Sequence, residues 1–598
     1  MHTFLRVRSR ATLIVALAAL TLVTLTPLAA LADGGNPGVA RVSVIDGMVA
    51  IERGDSATPV RAAINAPVLG ADEVTTGPGS RAEIQFDGTS MVRLGGDVEV
   101  RFTHLDRGNR EMQLAQGTLV VRLFRGTDGT STIDTPSISI RPQESGTYRI
   151  TVTGDGQTVV TVRSGSADII TPQGDQTVAP GATLIASGDA SNPVVNSNNE
   201  IARDGFDAFN RERDAYVERG AANAYDINPA FDDAGDFAHY GRWVDDRTYG
   251  NVWIPANTSS NWAPYRDGRW VWEGDYGWTW VADEPWGWAP YHYGSWYHSP
   301  AYGWAWCPPG IREDPVWRPA LVAFFAFGGG SGFSFGFGQN IGWVPLAPYE
   351  PYYPWYGGST IVNNTTNITN NYYVNNVANT NLTHVYRNVQ SGGVTSVSKQ
   401  RFIEGRFERT VSVQAQQLRR VDLVRGALPV VPTTKNLRFV DRSVNSALGV
   451  RAAVASRVFA GNPSVTQRIP FEQTRTAIAA SARVPVNGPP VIAPKPTSNS
   501  WSRFNAQRGT LRTNPVSAPR SEPIREPYTR VPLRQNQPHY PPPASTSRLE
   551  AVHPPVARRE PQREAAPRQA VPQKEAPRAT SPSLQTHRKV VRPPNAPL

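Results

Sequence analysis

From Val39 to about Gly188 apolar and polar residues alternate in short runs, and turn residues separate the runs. Val42-Ser43-Val44-Ile45 leads through Asp46-Gly47 into Met48-Val49-Ala50-Ile51, and Ala82-Glu83-Ile84-Gln85-Phe86 leads into Asp87-Gly88. A period of two puts alternate side chains on opposite faces of a strand, and Asp-Gly tolerates the positive φ of a tight hairpin turn. The runs 148–152 and 158–162, separated by Gly154-Asp155-Gly156, repeat the pattern. The spacing predicts an all-β module over 39–188, either a sandwich or a coiled stack of short strands, with hairpins at these turns.

The period changes in 201–222. Phe206, Phe209, Tyr216 and Val217 fall on one stripe with Arg211, Glu212, Arg213 and Glu218 elsewhere, which predicts an amphipathic connector helix. Its apolar face is expected to pack between the flanking modules; a membrane-binding helix is the weaker alternative, since one short stripe of mixed charge holds lipid poorly.

Fifteen of the 16 tryptophans lie between Trp243 and Trp355, and they recur in register. Trp262-Ala263-Pro264-Tyr265 leads to Gly268-Arg269-Trp270; 26 residues on, Trp288-Ala289-Pro290-Tyr291 leads to Gly294-Ser295-Trp296. Trp343-Val344-Pro345-Leu346-Ala347-Pro348-Tyr349 is a degenerate later copy. So regular a period predicts a repeated β-hairpin unit over 237–356, for example Trp270-Val271-Trp272 and Trp278-Thr279-Trp280 around Glu273-Gly274-Asp275. Packing demands a strict period, so the indoles read first as core. The functional alternative exposes a subset as stacking platforms for sugar rings, with Trp270, Trp286, Trp296, Tyr265 and Tyr291 as the binding candidates.

Residues 357–484 form an Asn-rich and mixed segment. Nine asparagines fall in 361–382, consistent either with an extended strand or with an unstructured tract, and a short helix is expected around Gln414 to Val424, ended by Pro429. The tail, 485–598, is basic and Pro-rich: its last 108 residues hold 21 prolines, with 18 Lys or Arg against 6 Asp or Glu. Such a composition cannot bury enough apolar surface to offset chain entropy, which predicts disorder.

Two resemblances rest on these residues. Ile133-Asp134-Thr135-Pro136, Gly146-Thr147-Tyr148-Arg149-Ile150, Val160-Thr161-Val162-Arg163-Ser164-Gly165 and Val178-Ala179-Pro180-Gly181, after Gly117-Thr118-Leu119-Val120-Val121, resemble the FecR-type periplasmic domain. The resemblance implies an extracytoplasmic β scaffold for protein contacts. In well-known members such a domain relays a transport signal through one spanning helix to a cytoplasmic sigma-factor regulator; this chain departs from them in opening on a secretory layout. The Trp-Ala-Pro-Tyr and Gly-x-Trp elements resemble an uncharacterised Trp-rich domain found beside FecR-like domains in exported bacterial proteins, which implies no known activity.

That layout occupies residues 1–32: Arg6, Arg8 and Arg10, an uncharged apolar run from Ala11 to Leu25, and Ala30-Leu31-Ala32 before Asp33. A cleaved signal peptide is expected, with an uncleaved anchor as the alternative, and the chain is placed in the periplasm or on the outer surface of a bacterial cell. The net charge of +10 belongs to the tail, so the expected partners are an envelope protein or a cell-wall or glycan polymer, with the tail on anionic surfaces and no specific nucleic acid. Cys307 alone forms no intramolecular disulfide, and His292, His298 and Cys307 lack a carboxylate at ligand spacing, so neither metal nor cofactor is expected. Asp245-Asp246 and Asp283-Glu284 read as turn acids rather than a glycosidase pair, and no nucleophile elbow or phosphate loop occurs. The expectation is a non-enzymatic binding or scaffold protein of all-β modules joined by a short helix, with a disordered tail; the alternative is an envelope signal regulator working through the FecR-like part.

Overall fold

The computed structural model describes residues 38–481 apart from residue 107 and stretches within 223–233, 311–314, 328–339, 356–376, 406–429 and 445–456. The signal segment, most of the asparagine tract and the basic tail lie outside the described residues.

Residues 40–199 make 17 strands arranged as two sheets that share one long strand, Asn109–Leu123. Its first half pairs with Glu99–Leu105 and, in parallel, with Thr130–Asp134. Its second half pairs with Ser90–Leu94 and Gly146–Val152. The strand changes sheets at Gly117, whose φ is +89° and where a Cβ would sit 2.7 Å from Val98 Cα. Only glycine fits both the left-handed backbone and that close approach. Alternate apolar residues of both sheets, among them Val42, Ile84, Val121, Ile150 and Val160, form one core.

Two of the three turns close hairpins as expected: 82–85 pairs with 91–94, and 147–152 with 158–164. Asp46-Gly47 does not. Ala40–Asp46 pairs with Arg81–Gln85, whereas Val49–Glu52 pairs with Pro59–Arg61 and Glu73–Thr76, so this turn carries the chain from one sheet to the other. A local turn signal sets the bend, but which strands pair depends on the apolar surface each flank buries.

The connector helix is present as Gly205–Ala222, but charge holds it rather than an apolar stripe. Phe206 and Phe209 stack at 6.1 Å and stay half-buried, while Asp207 and Asn210 are the buried positions. Asp207 accepts from Arg149 at 2.8 Å and Arg163 at 2.9 Å, Asp214 from Arg93 at 2.6 Å and Arg122 at 2.9 Å, and Arg213 donates to Glu83 at 2.8 Å. The sheet face beneath is studded with arginine, so the helix supplies the carboxylates that such burial requires.

The tryptophan register becomes three antiparallel hairpins built alike, 241–255, 268–282 and 295–307. Trp243 faces Trp253, Trp270 faces Trp280, and Trp296 faces Trp306. The repeated Gly-x-Trp also has one cause: at Gly241, Gly268 and Gly294 the indole of the partner strand lies where a Cβ would project, 2.3 to 2.7 Å away. The degenerate copy is a fourth pairing, Phe324 with Trp343, inside a six-stranded sheet. The two Trp-Ala-Pro-Tyr copies differ in backbone. Trp288–His292 is a helical turn, whereas Tyr265 takes a positive φ of 61°.

The aromatic core does not end near residue 356. Leu382, Tyr386, Val397, Phe402, Leu423, Phe471 and Ile478 belong to it. The helix expected around 414–424 is replaced, in its last residues, by the strand Val421–Val424, which pairs with Val377–Thr380 and with Val322–Phe327. The β-branched valines and leucine there suit a strand held between two neighbours better than an isolated helical turn. Residues 457–481 then return to the N-terminal module, with backbone bonds from Ala460 to Thr135, Thr466 to Thr103 and Phe471 to Asp55.

Candidate functional site

The five proposed sugar platforms are all core. Trp270, Tyr265 and Tyr291 are 0% exposed, Trp296 1% and Trp286 4%. Trp270 alone lies within 4.8 to 6.1 Å, centre to centre, of Trp280, Phe324, Trp343 and Trp355. Tyr265 donates its hydroxyl to the Tyr291 carbonyl at 2.7 Å and accepts from Leu321 N at 2.9 Å. Edge-to-face ring pairs of this kind reward mutual packing, and a ring with both faces covered cannot receive a sugar.

The hairpin 268–282 is buried on both faces. Trp270, Trp272, Trp278 and Trp280 enter the aromatic core, while Val271 and Val281 enter the core of the N-terminal module. At its turn sits a buried ionic cluster drawn from three distant segments. Arg53 donates to Asp55 at 2.6 and 3.0 Å, to Glu273 through both carboxylate oxygens, and to the Trp272 carbonyl at 2.9 Å. Arg468 reaches Asp72 at 2.7 Å, Glu273 at 3.2 Å and Asp275 at 3.3 Å.

Two guanidiniums thus face three fully buried carboxylates. Burial works against ionisation of Asp55, but Arg53 and then Arg468 overcome it and hold the carboxyl near 2. Burial dominates at Glu273 and pushes it up to about 7 despite both arginines, and it raises Asp72 as well. Arg53 is itself driven up by Glu273 and Asp55, so the two partners of the Arg53–Glu273 pair pull in opposite senses. The cation is the better satisfied member, because Asp55 already neutralises it; the shortage of positive charge falls on the carboxylates. Single charges scattered over more than 400 positions leave no local sequence signal. The one legible hint was Val271 and Val281 opposite the tryptophans, an apolar pattern on both faces of one hairpin.

Glu284 is a second displaced acid. It accepts from the Trp262 indole at 3.0 Å and the Tyr291 hydroxyl at 2.9 Å, both neutral donors, and its other oxygen has no partner; burial pushes it up to about 7. His292 is buried, bonded to the Arg318 carbonyl at 2.7 Å and stacked on Trp317, and burial lowers it to about 3. His298 is exposed beside Trp304, and Cys307 forms no disulfide. Among the described residues no three of His, Cys, Asp or Glu gather as a metal would need.

Two features face solvent. Among the described residues the strand Val194–Asn199 pairs only with Ala182–Ser187, and Val194 is 60% exposed. It carries no charge and no proline, the devices that usually blunt a sheet edge. On the Trp-rich module a cleft of about 420 Å³ opens between the loop 258–262 and the hairpin 295–307, lined by Asn261, Trp262, Arg266, His298, Tyr302 and Trp304 among others. Neither was singled out in the sequence. Among the described residues no helix is long and apolar enough to cross a membrane.

No curated protein matches the chain. Two crystal structures of a candidate anti-sigma factor from Parabacteroides distasonis ATCC 8503 share 17% and 16% identity with it. The 1.65 Å structure aligns over 22% of this chain and 60% of that one with a TM-score of 0.19; the 2.50 Å structure aligns over 31% and 99% with a TM-score of 0.20. The chain therefore spans 60% of the length of the first. Residues 72–168 match the FecR protein family and residues 234–350 a family of unknown function, DUF6600, so the chain joins a FecR-like region to a Trp-rich region of unassigned activity.

Proposed function

We propose that the protein is an exported, non-enzymatic regulator of envelope signalling that acts through protein contacts of its FecR-like module. The observation that carries the reading is the FecR match over 72–168, which covers strands of both sheets of that module. The Trp-rich module serves as a rigid support, because the hairpin 268–282 is shared between the two cores. The contact is made at the edge strand 194–199, to which an extended segment of an envelope protein adds as a further strand. Backbone donors and acceptors supply the affinity there, and the uncharged Val-Val-Asn-Ser-Asn-Asn run opposes no incoming strand.

The test is photo-crosslinking in the native bacterium from a reactive residue at position 196, paired with transcript profiling of a deletion strain. One discrete crosslinked envelope protein is expected, lost when Asn196 and Asn198 are both replaced by Lys, together with a changed transcript set in the deletion strain. Failure of the Lys variant to abolish the crosslink, or unaltered transcripts, would refute the reading.

A further inference from the structure

The cleft on the Trp-rich module holds an arginine that meets no carboxylate among the described residues. Arg266, half-buried on its wall, makes no ion pair. Its guanidinium donates only to backbone carbonyls: Asn261, Gly392 at 2.9 Å and Val394 at 3.5 Å. Arg53, Arg93, Arg110, Arg149, Arg163 and Arg468, all buried to a similar or greater degree, each meet a carboxylate at 2.6 to 2.9 Å. The one carboxylate near Arg266, that of Asp267, is exposed to solvent and not in ion-pair contact with it. Burial disfavours the charged form of Arg266, and carbonyl dipoles satisfy its hydrogens without supplying the missing negative charge.

The remaining walls suit a hydroxyl-rich molecule. Thr258, Ser259, Ser260, Asn261 and Ser391 bring hydroxyls and an amide to the rim. Trp262 and Trp304 close the floor, each buried at 8% exposure. His298 leans on Trp304 at 5.3 Å, and the Tyr302 hydroxyl is committed to Asp246, which leaves its ring to the cleft. The volume lies within the range of small-molecule sites, about 300 to 1,000 Å³.

We propose that this cleft binds a saccharide bearing a carboxylate, a uronic-acid-type sugar, with the carboxylate on Arg266, the sugar hydroxyls on Thr258, Ser259, Ser260 and Ser391, and the sugar ring against the half-buried Tyr302. A forked guanidinium matches a carboxylate through two hydrogen bonds, which a neutral sugar cannot reproduce. Acidic peptides share the charge but not the ring of hydroxyls that the rim is built to meet. The site is separate from the edge strand 194–199, so the two readings stand or fall independently.

The experiment is calorimetric titration of the full-length chain with trigalacturonic acid, with its methyl ester, and with an acidic tripeptide. The acid sugar is expected to saturate one site and the ester to bind roughly tenfold or more weakly, as loss of a charge-assisted pair requires. Arg266→Gln should bind acid and ester alike. Because that variant also loses bonds to Asn261 and Gly392, Ser260→Trp provides a second check: it fills the exposed mouth without entering the core, and should abolish binding of both sugars. The proposal is overturned by absence of saturable binding to the unaltered chain, by equal affinity for acid and ester, by unimpaired binding to Ser260→Trp, or by a tripeptide that binds as tightly as the sugar.

Discussion

The guanidinium of Arg53 and the carboxylate of Glu273 meet 220 residues apart in the chain, each side chain 1% exposed, at the seam between the FecR-like core and the aromatic core. Removing Arg53 leaves Asp55 and Glu273 buried and short of positive charge, whereas removing Glu273 leaves Arg53 paired with Asp55. Arg53→Ala is therefore expected to destabilise the protein by about 3 to 5 kcal/mol, against less than about 1 kcal/mol for Arg475→Ala, whose pair with Glu472 is exposed. Urea unfolding followed by tryptophan fluorescence measures both, and comparable losses would count against a structural role for the seam.

Glu284 predicts a pH dependence. Its carboxyl sits near 7 in the fold against an ordinary 4.5, so between those values the folded chain holds the extra proton. Stability is fully present below about 4.5 and is lost as the pH rises through 7. Melting temperatures from pH 4.5 to 8 should fall along this window for the unaltered chain and fall less for Glu284→Gln, whose amide oxygen still accepts from Trp262 and Tyr291. Parallel curves would show that Glu284 does not titrate there.

Two core indoles differ in what their N–H groups do. Trp296 donates to the Pro290 carbonyl at 2.8 Å, whereas the Trp270 N–H is buried with no partner. Substitution by Phe removes similar volume at both sites, but at 296 it also strands a carbonyl. Trp296→Phe should cost about 1 to 3 kcal/mol more than Trp270→Phe in denaturant titration.

The connector helix depends on Asp207, which bridges Arg149 and Arg163. Asp207→Ala should weaken the helix by roughly 1.5 to 3 kcal/mol, the worth of hydrogen bonds to charged groups. Hydrogen exchange should quicken across 205–222 and stay unchanged in the hairpin 268–282; protection that does not alter would return the helix to apolar docking.

Two glycines of the third hairpin separate packing from backbone strain. Gly294 and Gly303 both have positive φ, 65° and 77°, but a Cβ at 294 would lie 2.3 Å from the Cys307 carbonyl, while nothing lies within 4 Å at 303. Gly303→Ala should cost about 1 to 2 kcal/mol, the left-handed penalty alone. Gly294→Ala should exceed that clearly in the same thermal melt, and equal losses would mean that the indole contact yields.

Much of this architecture was legible in the residues. The two-residue alternation of 39–188 became strands, and the 26-residue spacing of the tryptophan motifs became hairpins with Trp270 opposite Trp280 and Trp296 opposite Trp306. The misreadings share a cause. Asp46-Gly47 reads as a hairpin turn but is a crossing, because a turn residue dictates a bend and not the partner of the strand beyond it. Phe206 and Phe209 were given the docking face of the helix, which the arginines of the sheet reserved for Asp207 and Asp214.

The chain by itself determined its local periods, since side-chain alternation and the steric demands of Gly and Pro act within a few residues. Only the tertiary structure decided which way the indoles face, which carboxylate meets Arg53, and that Arg266 meets none. Burial and ionic pairing are properties of neighbours brought together from hundreds of residues away, and a one-dimensional pattern carries no measure of that distance.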